Sequence, residues 1–248
     1  MRSHSLIVIP AISAFAAISA TAQQAPPPDA NDVVARMVAR DAERLTSLAG
    51  YAGMRRYILT NEQMHKRAEM TVRVSGDANG TKHFEIVAAD GWKAAQKHVL
   101  RKMLESEAET SRPEERTKTR LSRENYEFQI ARVEKSGDRD TYAIDVTPKR
   151  REKYLFRGRI WVDAEDYALV RADGNPAKNP SFWTKSVHFV HTYEKSGDFW
   201  FPVITESVTE ARLFGTTNLT IEYFEYRPNA APHIPDNVLE VAQTVGLR

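Results

Sequence analysis

Cysteine is absent from the 248 residues of this chain, which excludes a disulfide scaffold, a thiol nucleophile, thiolate metal ligands and acyl attachment to a cysteine. A strong basic excess is also absent: 35 lysine and arginine residues face 33 aspartate and glutamate residues, which argues against a dedicated nucleic-acid binder. No phosphate-binding glycine loop, dinucleotide fingerprint, nucleophile elbow or zinc-protease helix motif occurs. We therefore expect neither an enzyme nor a cofactor. With 42% apolar residues, the chain can still bury a sizeable core.

Long hydrophobic runs are confined to the N-terminus. The segment from Leu6 to Ile18 is apolar, and Ala20-Thr21-Ala22 has the small-residue pattern of a cleavage site. A membrane anchor is the alternative, but it needs about 18 uninterrupted apolar residues, and Pro10 interrupts this run. We expect residues 1–22 to be a signal peptide that exports the chain, followed by a proline-rich spacer at 23–28.

Two segments have the apolar periodicity of amphipathic helices. The first runs from Asp29 to Leu48 and is followed by Gly50. The second runs from about Gly91 to Glu109, and its shared apolar face is formed by Trp92, Ala95, Val99 and Met103. The charges of the second helix oppose the helix dipole, so it must be held by packing on a larger element. Residues 105–124 contain Pro113 and are predicted to form a mobile charged connection rather than one continuous helix.

Nearly all of the remaining sequence alternates apolar and polar residues with a period of two, which predicts strands. The first run is 68–74, and the turn Asn79-Gly80 joins it to the next strand. Further runs lie at 126–130, 142–146, 154–162, 167–171, 187–193, 201–208 and 219–226. Such a meander buries one face, and two helices cover it only if the sheet curves strongly. The interior is then either packed or a cavity for an apolar ligand, and the pattern leaves both open.

Three stretches of the C-terminal half resemble one protein family. They are the hairpin Ile160-Trp161-Val162-Asp163 with Ala168–Arg171, the segment Pro180–Trp183 followed by Tyr193–Pro202, and the ending Leu213–Gly215 with Leu219–Tyr223. This pattern, best over residues 154–226, is similar to bacterial outer-membrane lipoprotein-sorting proteins of the superfamily that includes Lol-type carriers and RseB. The resemblance implies an α+β fold: an unclosed antiparallel half-barrel with helices across its concave face. We expect one domain over 29–226 and a C-terminal tail at 227–248.

The resemblance also implies a function. The chain would be a periplasmic carrier or binding protein that holds a lipid or a lipoprotein acyl chain during outer-membrane lipoprotein sorting. Membrane-bound donor and acceptor proteins would be its further partners. An aqueous carrier must enclose its cargo, since each exposed methylene costs about 0.8 kcal/mol. The alternative is an RseB-like envelope-stress sensor or regulatory protein-binding module. An enzyme acting on envelope lipids is a third alternative, for which the sequence proposes no polar site.

Strand alternation alone supplies the candidate cavity residues, because apolar positions of one strand face share the concave side. For each candidate, ordinary core packing is the alternative to ligand contact. The candidates are Met70, Val72, Val74, Phe84, Ile86, Tyr142, Ile144, Phe156, Ile160, Val187, Phe189, Val203 and Ile221.

Polar clusters in the sequence favour structural roles. His188 and His191 are three apart on a strand and face opposite sides, so they cannot share a metal ion, and we predict no metal site. The acidic group Asp163, Glu165 and Asp166 lacks the spacing of a calcium loop and is typical of a hairpin turn.

Two surface features leave a binding role open. The cationic turn from Lys149 to Lys153 is either a solvated loop or a docking site for anionic lipid headgroups or an acidic partner. Trp183, Phe199 and Trp200 are either an interaction patch or edge residues that pack against neighbouring strands.

Overall fold

The computed structural model describes residues 28–228. The predicted signal peptide, all but the last residue of the spacer, and the chain beyond residue 228 lie outside the described residues. The helices are α1 (Ala30–Ser47), α2 (Lys93–Ala95), a π-helical turn (Gln96–Leu100), α3 (Arg101–Thr110) and α4 (Pro113–Thr119). The strands are β1 (Tyr51–Asn61), β2 (Lys66–Gly76), β3 (Lys82–Gly91), β4 (Tyr126–Ser136), β5 (Arg139–Pro148), β6 (Phe156–Asp163), β7 (Leu169–Pro176), β8 (Thr184–Ser196), β9 (Phe199–Ala211) and β10 (Gly215–Pro228).

All ten strands form one antiparallel sheet in the order β3-β2-β1-β10-β9-β8-β7-β6-β5-β4. The edge strands β3 and β4 do not pair with each other, so the sheet stays unclosed, and residues 92–125 connect one edge to the other. The predicted α+β fold with a curved, unclosed antiparallel sheet is confirmed. Strand β10 continues to Pro228, two residues past the domain boundary expected at 226.

Helix α1 forms where the sequence predicts it. The Asp29 side chain accepts a hydrogen bond from the backbone N–H of Asn31 and caps the helix. Its apolar stripe, Val33, Val34 and Met37, is buried. These residues pack on inward-facing residues of β4 to β7, in what we name the α1 cluster, which includes Ile144, Val146, Leu155, Ile160 and Val162. Each fully buried side chain of this size contributes about 1.5–3 kcal/mol.

The second helical segment covers the other half of the concave face. Its predicted apolar face is confirmed for Ala95, which is buried, and for Trp92 and Met103, which pack beside it, but not for Val99. Val99 is exposed, whereas Leu100 and Leu104 are buried with Ala95. The π-helical turn at Gln96–Leu100 adds one residue to the turn and rotates the following apolar stripe by one position. The buried residues pack on β1, β2 and β10, in what we name the α3 cluster, which includes Tyr57, Leu59, Met70, Val72, Leu219 and Ile221.

The connection between the second helix and β4 is more regular than expected. Pro113 separates two helices, as predicted, but residues 113–119 form helix α4 instead of an irregular segment. Proline is accepted at the first helical position because that residue needs no backbone N–H partner. Among the helices of residues 28–228, none combines the length and the hydropathy that crossing a bilayer requires.

Candidate functional site

A hollow of about 280 Å³ lies on the concave side, next to the α1 cluster. Most of its lining is apolar, and the rings of Phe156 and Phe189 meet edge to face there, with centroids 5.5 Å apart. The hollow is lined by Leu121, Lys153, Tyr154, Leu155, Phe156, Leu169, Ala172, Pro176, Phe189, His191 and Tyr193. Its volume lies just below the range of about 300–1,000 Å³ that is common for small-molecule sites.

Small residues in the strands beneath the hollow explain why space remains there. Ala172 pairs with Ile160 across β6 and β7, and Gly174 pairs with Gly158. A Cβ on Gly158 would lie 2.0 Å from the carbonyl oxygen of Asp173, so only glycine fits this close strand approach. The two glycines also carry no side chain over the inner face. The sheet therefore offers an apolar floor with little bulk.

One end of the hollow is polar. His191 pairs with Thr205 in the β8–β9 register, and its Nδ1 lies 2.6 Å from the Thr205 hydroxyl oxygen. The same hydroxyl lies 2.9 Å from the Tyr223 hydroxyl, whose ring packs 4.9 Å from the guanidinium carbon of Arg55. This row of side chains connects the apolar hollow to a charged cluster under helix α3. The site is therefore amphipathic rather than uniformly apolar.

The charged cluster joins three elements through Glu107 of α3. Arg55 of β1 donates two hydrogen bonds to the Glu107 carboxylate, at 2.7 and 3.1 Å, and Lys82 of β3 donates a third at 2.7 Å. The guanidinium of Arg55 also donates to the hydroxyls of Tyr226 and Tyr57, at 2.8 and 3.2 Å. Only 3% of the Arg55 side chain is exposed. Its charge is thus neutralised by one carboxylate that belongs to the helix.

The surroundings shift the pKa of several groups here. Burial raises the pKa of Glu107, but Lys82 and Arg55 outweigh burial and hold this pKa below its ordinary value. Burial raises the pKa of Tyr193 to about 12. These groups lie in a low-dielectric part of the concave face, where a polar ligand group without a partner would be costly.

The structure does not bring the thirteen candidate residues together in one site. Two of them, Phe156 and Phe189, line the hollow. Two candidates belong to the α1 cluster and three to the α3 cluster, and Tyr142, Phe84 and Ile86 pack against these clusters at their margins. The cluster members are Ile144, Ile160, Met70, Val72 and Ile221. Val74 is fully buried outside both clusters, and Val187 and Val203 are half-buried. Ligand contact by any of them stays a prediction.

Sequence reasoning missed the polar end of the site. Arg55 was detectable, because it is in phase with Tyr57, Leu59 and Asn61 on the inward side of β1, where a charge needs a partner. His191 was considered only as a metal ligand and rejected in that role, and its hydrogen-bond partner Thr205 comes from another strand. Nothing in the sequence distinguishes Glu107 from the other acidic residues of the same helix.

The remaining polar predictions concern the sheet surface. His188 and His191 lie on opposite faces, as predicted, and His188 Nε2 lies 3.3 Å from Asp173 on the outer face. Asp163 is buried and accepts hydrogen bonds from Arg139 and from the backbone N–H groups of Glu165 and Asp166, which closes the β6–β7 turn. Within residues 28–228, no group of three or more histidine or acidic side chains could hold a metal ion.

We expect stability to depend on pH through His191. Burial lowers the pKa of His191 from 6.5 to about 4, with Glu107, Lys82 and Arg55 as the charged neighbours. Because the folded-state pKa is the lower one, the unfolded chain takes up the proton first as the pH falls. The contribution is therefore present above pH 6.5 and is lost as the pH falls toward 4. We expect the free energy of unfolding to fall by about 2–3 kcal/mol across this window.

Urea denaturation at pH 7, 5.5 and 4.5 checks this expectation. His191→Gln should remove most of the pH dependence between pH 7 and 5.5, above the range in which carboxylates take up protons, while the matched variant His188→Gln, on the outer face, should keep it. Equal pH dependence in the wild type and His191→Gln would contradict the assignment.

Comparison with known proteins gives a partial family match and several structural matches. The family profile of DUF5686, described as a family of unknown function, matches residues 120–226. No curated protein matches the chain in sequence. A LolA superfamily protein from Nitrosomonas europaea matches in structure with a TM-score of 0.45 at 11% identity, covering 86% of this chain and 97% of that chain.

Two further structures also match. An outer-membrane lipoprotein-sorting protein domain from Vibrio parahaemolyticus has a TM-score of 0.39 at 14% identity, covering 84% of this chain and 97% of that chain. The MucA/MucB complex of Pseudomonas aeruginosa has a TM-score of 0.28 at 10% identity, with coverage of 81% and 100%. These matches include LolA-type and lipoprotein-sorting proteins, the kinds of protein that the sequence resemblance also names. Because the TM-scores lie below 0.5, what these proteins bind is not transferred to this chain.

Proposed function

We propose that this chain is an exported, periplasmic binding protein that holds a lipid or a lipoprotein acyl chain in the hollow beside the α1 cluster. It would act as a carrier in outer-membrane lipoprotein sorting. Its role would be binding rather than catalysis. One observation carries the proposal: an apolar hollow persists between two helix-covered clusters, with a polar wall at one end. The sequence resemblance over residues 154–226 supports a lipoprotein as the cargo.

The lining suits an amphipathic ligand. An acyl chain would pack on Phe156, Phe189 and Leu169, and removal from water stabilises it by about 0.8 kcal/mol for each methylene. The polar end of the ligand would meet His191 and Tyr193. The Thr205 hydroxyl already satisfies one hydrogen bond of the His191 imidazole. The hollow accommodates part of a long chain, and a longer one requires a shift of the helices that cover the sheet.

Native mass spectrometry of protein recovered from a periplasm tests the proposal. We expect co-purified lipid or lipopeptide, identified by its mass after release. Repeated recovery of ligand-free protein that also fails to bind the neutral apolar probe N-phenyl-1-naphthylamine would contradict the proposal. Recovery of a stable protein partner instead of lipid would favour the RseB-like alternative.

Filling the hollow should abolish ligand binding without unfolding the chain. We expect Ala172→Phe to lower the affinity for N-phenyl-1-naphthylamine at least tenfold, because the added ring occupies the space of the hollow next to His191, the partner of Ala172 across β7 and β8. The measurement is a fluorescence titration, with the thermal unfolding midpoint recorded for each variant. Ala131→Phe, which places the same ring at an exposed position of edge strand β4, is the matched control and should bind the probe like the wild type. Unchanged probe affinity in a folded Ala172→Phe variant would exclude this hollow as the site.

A further inference from the structure

The two ends of the half-barrel differ in charge. Because the strands are antiparallel, loops 149–155, 177–183 and 212–214 lie at one end, which we name the basic rim. Loops 137–138, 164–168 and 197–198 lie at the other end, which we name the acidic rim. The basic rim carries Lys149, Arg150, Arg151, Lys153, Lys178 and Arg212. Within these three loops the one acidic residue, Glu152, is paired with Arg150 at 2.6 Å, and the β1–β2 loop at the same end adds Glu62. The acidic rim carries Asp138, Glu165, Asp166 and Asp198 and no basic residue.

Large apolar side chains are exposed at the basic rim. Phe182 is 76% exposed, Trp183 53%, Leu213 66% and Phe214 51%, and the ring of Tyr154 is exposed as well. Of the exposed aromatic side chains in residues 28–228, only Phe224 lies elsewhere. Phe199 and Trp200, grouped with Trp183 in the sequence analysis, lie at the opposite end and are half-buried.

The exposed side chains form one patch rather than scattered positions. The rings of Phe182 and Trp183 meet edge to face at 5.4 Å, and the Arg212 guanidinium lies 5.2 Å over the Phe182 ring. The backbone N–H of Arg212 donates to the carbonyl of Trp183 at 2.8 Å, which fixes the two loops together. The backbone carbonyl of Phe214 accepts from Asn61 Nδ2 at 2.7 Å. The patch is therefore built into the rim by hydrogen bonds between loops.

We propose that the basic rim docks the protein on a bilayer surface that contains anionic phospholipids, with Phe182, Trp183, Leu213 and Phe214 inserted among the headgroups. Aromatic residues and arginine together are suited to the membrane interface, where one part of the side chain is apolar and the other polar. The side chains project from turns, which can enter a soft headgroup layer, and the surrounding lysines and arginines attract its negative charge. A contiguous patch of large exposed apolar side chains normally marks an interaction site.

The location relative to the hollow strengthens the inference. Lys153 and Tyr154 belong to the basic rim and also line the hollow, as does Pro176 at the end of β7. A membrane bound at this rim would therefore lie next to the opening of the hollow. The docking surface does not depend on which ligand the hollow holds, and the two are tested separately.

Vesicle sedimentation tests the docking surface. We use the purified full chain, with identical termini in all variants, and vesicles of phosphatidylcholine alone or with 30% phosphatidylglycerol. We expect binding to the anionic vesicles at 0.1 M salt, and at least tenfold weaker binding to neutral vesicles or at 0.5 M salt. The charge variant Arg151→Glu/Lys153→Glu and the apolar variant Trp183→Ser/Leu213→Ser should each weaken binding about tenfold or more, with unchanged thermal unfolding.

The matched control is Val133→Ser/Lys135→Glu, which changes an exposed apolar and a basic side chain of β4 near the acidic rim and should bind like the wild type. Phosphatidylcholine brominated on its acyl chains, mixed with phosphatidylglycerol, should quench tryptophan fluorescence of the wild type and much less that of Trp183→Phe. Equal binding to neutral and anionic vesicles would overturn the proposal. A loss of vesicle binding in the control variant as large as in the two test variants would overturn it as well. Absence of vesicle binding together with self-association that Arg151→Glu/Lys153→Glu abolishes would instead assign the basic rim to the acidic rim of a second copy.

Discussion

Replacing Glu107 by alanine is expected to lower the free energy of unfolding by about 3–5 kcal/mol. The carboxylate accepts hydrogen bonds from Arg55 and Lys82 and is the acidic partner of both in the described part of the chain. Its removal leaves the Arg55 guanidinium, 97% shielded from solvent, without a neutralising charge. It also releases α3 from β1 and β3. Urea denaturation at pH 7 measures the loss.

The same helix provides the control. Glu109→Ala changes an exposed acid two residues further along α3 and should alter stability by no more than about 0.5 kcal/mol. The double variant Arg55→Met/Glu107→Leu should be more stable than Glu107→Ala, because it removes both buried charges and fills their volume with apolar groups. If Glu107→Ala and Glu109→Ala lower the free energy of unfolding equally, the charged cluster does not hold the helix.

Replacing Asp163 by alanine is expected to destabilise the chain by about 3 kcal/mol. The Asp163 side chain is fully buried and binds the Arg139 guanidinium through both oxygens. It also accepts from the backbone N–H groups of Glu165 and Asp166, at 3.0 and 2.7 Å. Burial raises the pKa of Asp163, but Arg139 and the two backbone N–H groups outweigh burial and keep this pKa below its ordinary value. Alanine leaves the two backbone N–H groups without this acceptor, and Arg139 keeps only its ion pairs with Glu165 and Asp166.

Two companion variants make this measurement specific. Asp163→Asn keeps one oxygen to accept from the backbone and should lose less stability than Asp163→Ala. Asp138→Ala, in the exposed β4–β5 turn at the same rim, should change the unfolding free energy by less than about 0.5 kcal/mol. A loss below about 1 kcal/mol for Asp163→Ala would mean that Glu165 and Asp166, which also pair with Arg139, replace its role.

The predicted elements agree with the structure where one local rule decides them. Asp29 caps α1, and Asn79-Gly80 lies in the β2–β3 turn with Gly80 at a φ of 78°, which glycine adopts without strain. The helix near residue 100 shows the limit of periodicity. Because of a single π-helical turn, Leu100 instead of Val99 faces the sheet. A helical period of 3.6 residues cannot predict this change, because a π-helical turn has a longer period.

The candidate site was predictable in its apolar half. Phe156 and Phe189 follow from alternation, since each lies on the inward side of its strand. Alternation does not distinguish them from Ile144 or Ile160, which have the same pattern but lie beneath α1. Which inward residues the helices cover depends on how the helices cross the sheet. That crossing depends on contacts between distant segments.

By itself, the sequence determined the first helix and every strand of the described residues except β1, because these elements depend on neighbours two to four residues away. Tertiary structure decided that Arg55 meets Glu107 across 52 residues, and that Tyr154, Trp183 and Phe214 share one rim. The physical reason is strand pairing. Antiparallel order gathers alternate loops at the same end, and hydrogen bonds between those loops are made only once the sheet is assembled.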